Sequence, residues 1–203
     1  MAPEAAVTLA PMVEDRDPVT DEEELDAERE AKRYIALAQI RQYPDPVLRM
    51  RARETEQFDD DLERLVERMT ALMDGANGAG LAATQVGVLR RVFVIRHGEG
   101  SGAVALVNPE VIGRSEETEL DEEGCLSLQR VLVPVERHVT VTVAGRDPKG
   151  ADIRLDLEGF EARACQHEFD HLDGILIIDR TTDEARREAL AVLRPQPVLG
   201  ARL

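Results

Sequence analysis

Aromatic residues are scarce in this chain: four Phe, two Tyr and no Trp among 203 residues. Any core it builds must be mostly aliphatic. Cysteine is nearly missing too, with Cys125 and Cys165 alone, enough for one disulfide at most. Residues 1–12 hold no basic segment followed by a long apolar stretch, so no secretory signal is read there. They are not Arg-rich, which argues against an organelle transit peptide. No uninterrupted apolar run nears the roughly 18 residues of a membrane span. The expectation is a cytoplasmic protein with reduced thiols and no membrane partner.

Positive charge is in deficit. Against 41 Asp and Glu stand 25 Lys and Arg, a net −16. Such a surface repels nucleic-acid phosphate, so no direct nucleic-acid partner is expected. Residues 1–33 carry −7 of that charge, so the rest of the chain is acidic without them.

What remains is ordinary globular material: 43% hydrophobic and 33% charged residues, long enough for one core. Residues 1–33 are read as an acidic extension, disordered over 1–20 and helical over 21–41, with Leu25, Ala31, Ile35, Ala38 and Ile40 as a loose apolar stripe. Residues 34–195 are read as the catalytic domain and 196–203 as a tail. Tyr43-Pro44-Asp45-Pro46 forbids helix and gives an extended lead-in. Leu62, Leu65, Val66, Met69, Leu72 and Met73 recur at helical spacing and predict a helix over 58–74. From 80 to 145 the pattern is β-like, with runs at 91–95, 104–107, 111–112 and 131–143. Residues 153–157 alternate as a strand. A helix over 158–172, a short strand over 175–178 and a helix over 183–193 follow. Strands come in runs, so the expected class is α+β: antiparallel or mixed sheets packed around a helix at 158–172.

That helix carries the strongest chemical signal, His167-Glu168-Phe169-Asp170-His171. Two His at i and i+4 share one helix face, so both imidazoles can reach one metal ion. Glu168 is rotated by about 100° from His167. It stands beside the ion without needing to ligate it, and can take a proton from a water the ion activates. Two ligands leave a catalytic site one short. No His follows His171. His97 and His138 are available upstream, but Cys125, after the pliant Gly124, is the better third ligand. Cys165 reads as a core thiol, since three ligands already complete the set. Gly78 to Gln85 is a run of small residues that lets something pack against the backbone, ending in an amide donor. It has neither the Lys-Ser/Thr of a phosphate loop nor the glycine spacing of a dinucleotide fingerprint.

In this order, Gly78 to Gln85, Glu123 to Ser127 and Gln166 to His171 resemble the peptide deformylase family. The family pattern is Gly-x-Gly-x-Ala-Ala-x-Gln, then Glu-Gly-Cys-x-Ser, then Gln-His-Glu-x-x-His. The likeness runs over about 43–180, including Asp45 to Arg49 and Asn108-Pro109. It implies one divalent metal ion, Fe(II) natively with Zn(II) or Ni(II) as substitutes, held by Cys125, His167 and His171. It implies removal of the formyl group from N-formylmethionyl peptides and nascent chains, met at the ribosome exit; a monomer is expected. Glu168 would be general base and then acid. The Gln85 amide and the Leu126 N–H would face the oxyanion. The backbones of Ala79 and Gly80 would pair with an extended substrate, Arg130 would contact its backbone, and Phe160 and Ala164 would line the methionine pocket. Two departures stand out: Thr84 replaces a frequent Pro, and the stretch from Ser127 to Pro134 is shorter than in common members.

Two other readings compete. A metallopeptidase cutting internal bonds shares the His-Glu-x-x-His chemistry, though a Cys ligand is unusual there; casein digestion separates the two. A binder without turnover is the third, and would hold formyl-peptides without releasing formate.

Overall fold

The structure, a computed structural model, describes residues 21–98 and 102–194. The expected disordered stretch over 1–20 and the 196–203 tail lie outside the described residues. Four α-helices and seven strands are present among the described residues: α1 Asp21–Leu37, α2 Asp60–Gly75, β1 Gly80–Ala82, β2 Val92–Arg96, β3 Ala103–Arg114, β4 Thr118–Cys125, β5 Leu128–His138, β6 Thr140–Arg146, β7 Asp152–Glu158, α3 Gly159–Leu172 and α4 Asp183–Leu193.

Five strands form one antiparallel sheet in the order β1-β2-β3-β6-β7, and β4 and β5 form a separate antiparallel hairpin. Every pairing between named strands is antiparallel; among the described residues the one parallel contact is the isolated bridge Arg53–Arg90. Helices on antiparallel sheets make this an α+β fold. Helix α3 packs against β1, β2 and β7 of the sheet and also touches β5 of the hairpin. It is anchored by Ala162, Cys165 and Leu172, buried among Phe93, Ile95, Leu106 and Val143, with Phe169 edge-on to Phe93 at 5.4 Å between ring centroids. Burying a side chain such as Phe93 stabilises by about 1.5–3 kcal/mol.

Local chemistry accounts for the helix ends. Asp59 caps α2 by accepting from the Leu62 N–H, and Asp60, Asp61 and Glu63 sit in its positive first turn. Gly174 ends α3 at φ 74°, where the Ile175 N–H returns to the Asp170 carbonyl. A Cβ there would lie 2.6 Å from the Arg49 carbonyl oxygen, so no other residue fits.

Several expectations need correction. The stripe on α1 is only in part its packing face: Leu25 and Ile35 are exposed, and the segment docks through Ala36, Leu37 and, just beyond the helix, the expected Ile40. The segment after Tyr43 is not simply extended; Pro46–Arg49 turns as a 3-10 helix capped by the Asp45 carboxylate, since Pro is well suited to a first turn. The two runs at 104–107 and 111–112 are one irregular strand, β3. The run at 131–143 is two strands, β5 and β6, joined in a tight turn. Ile177–Asp179 is a 3-10 turn rather than a strand, its apolar residues buried under α4 and β5. Strand β4 went unforeseen because half of its sequence, TELDEEGC, is acidic; it is paired only to β5, and most of its side chains are exposed.

Candidate metal centre and cleft

Cys125, at the end of β4, meets His167 and His171 of α3. One ligand atom from each lies within 4.8 Å of the others. The Cys125 Sγ is 3.2 Å from His171 Nε2. A tetrahedral ion with sulfur and imidazole ligands holds its donors about 3.5 Å apart, so the triad closes on a cation with small adjustments. His97 and His138 are committed elsewhere, to the Glu161 carboxylate and the Ser115 carbonyl. Cys165 lies in the apolar cluster under α3, where burial and then the Glu168 charge push its thiol up to about 12.

A cleft of about 480 Å³ opens beside the triad. Helix α3 gives it Phe160, Ala164, His167 and Glu168, at i, i+4, i+7 and i+8 of one face. The opposite wall has Ala79, Gly80 and Gln85; the hairpin adds Cys125, Leu126 and Arg130. His171 is not in the lining and is almost wholly buried behind it. Strand β1 pairs only with β2, so its other edge is free within the sheet. Phe160 stands at the rim, 70% exposed, rather than enclosed. Arg130 takes φ 65° in a bulge of β5: Gly124 pairs with Leu132 and Cys125 with Leu128, leaving 129–131 without partners in β4. The stretch after Ser127 is this tight turn and bulge.

Gly80 explains why small residues are needed in its segment. A Cβ there would stand 2.4 Å from Glu168 Oε1 and 2.8 Å from its Cγ. The group packed against the strand is thus the Glu168 side chain. Glu168 is 3% exposed, and its Oε2 has no hydrogen-bond partner. Burial lifts its carboxyl to about 7, against the pull of the His167 charge. The Gln85 amide is fixed from both ends: its oxygen accepts from Ala82 N–H at 2.8 Å, and its nitrogen faces Ser127 Oγ at 3.2 Å and Cys125 Sγ at 3.7 Å. Thr84 donates its hydroxyl to the His171 carbonyl at 3.2 Å.

Behind the triad lies a charge network the sequence did not disclose. Glu123 accepts from Arg137 at 2.9 and 3.0 Å and from Arg163 at 3.0 Å, and it faces His167 Nδ1 at 3.1 Å. Arg137 also reaches Asp170 at 2.6 Å, which pairs with Arg180. Burial disfavours the Glu123 anion, but Arg137 and His167 together outweigh it and hold its carboxyl at about 2. Holding His167 by Nδ1 leaves Nε2 for a metal. Burial opposes a charge on His167, yet Cys125 and Glu123 push its pKa well above the ordinary value. That field favours a cation. His171 goes the other way, well below, through burial and then the His167 and Arg137 charges, and so keeps a lone pair. The donor set and its field therefore fit a divalent metal ion. Glu123 sits in the quoted motif beside Cys125; its partners Arg137, Arg163 and Asp170 carry no spacing signal.

A thiol and two imidazoles around one point, with a buried carboxylate beside them in a cleft, define the class of metal-dependent hydrolases. The sequence model of the polypeptide deformylase family matches residues 37–187, and the chain belongs to that family. A peptide deformylase of Thermotoga petrophila is 47% identical over 150 residues, covering 74% of this chain and 90% of its own. Peptide deformylase 1 of Corynebacterium glutamicum is 41% identical over 162 residues, 79% of this chain and 96% of its own. A peptide deformylase crystal structure from Legionella pneumophila superposes with a TM-score of 0.72 at 37% identity, covering 76% of this chain and 91% of that one. No helix among the described residues is long and apolar enough to cross a membrane.

Proposed function

We propose that this enzyme hydrolyses the N-formyl group from the formylmethionine of nascent polypeptides in the cytoplasm, near the ribosome, releasing formate. Cys125, His167 and His171 hold the metal, Fe(II) natively with Zn(II) or Ni(II) as substitutes. When bound, the metal supplies a Lewis acid that brings the pKa of its water towards about 7. Glu168 accepts a proton from the attacking water. The oxygen adds to the formyl carbon, and the negative charge that develops on the formyl oxygen faces the Gln85 amide and the Leu126 N–H. The carbon–nitrogen bond then breaks, and Glu168 hands its proton to the departing amine. Formate and a free N-terminus result, with atoms and charge balanced.

The substrate lies extended along the free edge of β1, paired to the backbones of Ala79 and Gly80. Arg130 contacts its backbone from the hairpin, and Phe160 and Ala164 line the methionine side. The single observation that carries this reading is Glu168: a buried carboxylate with one unpartnered oxygen, pressed against Gly80 and next to the triad. Protein purified anaerobically and loaded with Fe(II) should release formate from a formyl-Met peptide and leave casein uncut. Glu168→Gln should keep its metal and lose about 10²–10⁴-fold in turnover. Full activity in that variant would remove Glu168 from the mechanism.

A further inference from the structure

Helix α1 lies, but for Leu37, before the family match that begins at residue 37, yet it reaches the cleft. Arg33 and Leu37, one helical turn apart on one face, both line the cavity. The helix is held there firmly. Gly75 at the end of α2 sits so close that a Cβ on it would be 3.1 Å from Ala36 Cβ. Beyond the helix the chain is tied to the site itself: Arg41 N–H donates to the Gln85 carbonyl at 2.7 Å, Gln42 to the Leu126 carbonyl at 3.0 Å and Tyr43 N–H to the Ser127 carbonyl at 2.9 Å.

Charge is the second observation. In a chain of net −16, the cleft holds two unpaired cations. Among the described residues no carboxylate pairs with Arg33 or Arg130, whereas Arg163 in the same cleft is tied to Glu123. Glu122 is the acidic counterweight at the rim. Gly80, against Glu168, and Ala79, Gly78 and Asn77 all line the cavity, and Gly75 just before them packs on α1 at Ala36 and the Lys32 carbonyl, so this wall leads from Glu168 back towards α1. At about 3.3 Å per extended residue, a substrate following those three steps brings its third or fourth residue to the α1 end of the wall.

We propose that α1 is an added wall of the substrate cleft, and that Arg33 selects formylated chains with an acidic side chain at the third or fourth position. This rests on the deformylase reading. An exposed guanidinium gains little from each carboxylate, so the selection is a modest one expressed in KM. Salt weakens it, because the pair is exposed.

The test uses the metal-loaded full chain and C-terminally amidated formyl-Met-Ala-Xaa-Ala and formyl-Met-Ala-Ala-Xaa peptides, with Xaa Glu, Gln or Lys. In at least one series kcat/KM for Glu should exceed that for Gln by about two- to five-fold, through KM. The ratio should fall to one in Arg33→Ala and below one in Arg33→Glu, which should favour Lys. Arg64→Ala, which changes net charge equally from outside the cleft lining, should keep the wild-type ratio. A wild-type ratio of one in both series, or an unchanged ratio in Arg33→Ala, would overturn the role of Arg33 while leaving the deformylase reading intact. Formate release from none of the peptides would overturn both.

Discussion

The inner end of the cleft and its rim are built on opposite principles. At the inner end and in the network behind it, Glu123, Arg137, Arg163, Asp170, Glu168 and His171 are all less than 10% exposed, and all but Glu168 and His171 are locked in ion pairs. At the rim, Phe160 and Leu132 are 70% and 65% exposed, and Arg33 and Arg130 have no acidic partner among the described residues. Water-activating chemistry needs fixed donor positions, and buried pairs hold them because leaving any charge alone there is costly. Recognition of a passing chain needs reach and tolerance, which exposed groups supply.

The strongest way to break that contrast is Arg137→Met. It leaves Glu123 and Asp170 each short of a partner, and should cost about 3–5 kcal/mol by denaturant melts. An unchanged midpoint would mean that the network does not hold the inner end. Next comes Gly80→Ala, which pushes the Glu168 carboxylate out of place. Formate release should drop by about 10²-fold while metal content stays at wild-type level, since misplacing a catalytic group by about 1 Å has that effect. Equal activity would show that the inner end tolerates movement as the rim does.

The smallest effect lies in a separate ion cluster nearer the surface, where Asp179 meets Arg49 and Arg186. Burial disfavours the Asp179 anion, but Arg49, the Leu176 N–H and Arg186 hold its pKa below the ordinary value. A depressed folded pKa contributes stability that is complete above the unfolded value of about 4 and is lost as pH falls through the lowered one. The gap in melting temperature between wild type and Asp179→Asn should therefore be widest near neutral pH and narrow below pH 4. A gap independent of pH would show that the pair is not acting through charge.

Much of this arrangement was legible along the chain. Helices α2, α3 and α4 fall close to their expected spans, α2 through the apolar spacing from Leu62 to Met73, because that signal is local. The His167–His171 pair is legible for the same reason, as i and i+4 on a helix share a face whatever surrounds them. Strand β4 was not, because an acidic exposed strand has no apolar alternation and owes its form to its partner. Phe160 reads as a pocket residue by position, yet nothing local says how open its surroundings are. The docking face of α1 was read correctly at Ile40 but not along the helix, because its exposed Leu25 and Ile35 are as apolar as its buried Leu37.

The sequence by itself determined the chemical parts: one thiol placed after a Gly, two imidazoles a helical turn apart, a carboxylate between them, and small residues before Gln85. Only the tertiary structure decided that β4 brings Cys125 to α3, that Glu168 packs against Gly80, and that Arg137 links Glu123 to Asp170. The physical reason is range. Helix periodicity and turn chemistry act over a few residues, whereas burial of a charge is settled by whichever distant group the fold brings to pair with it.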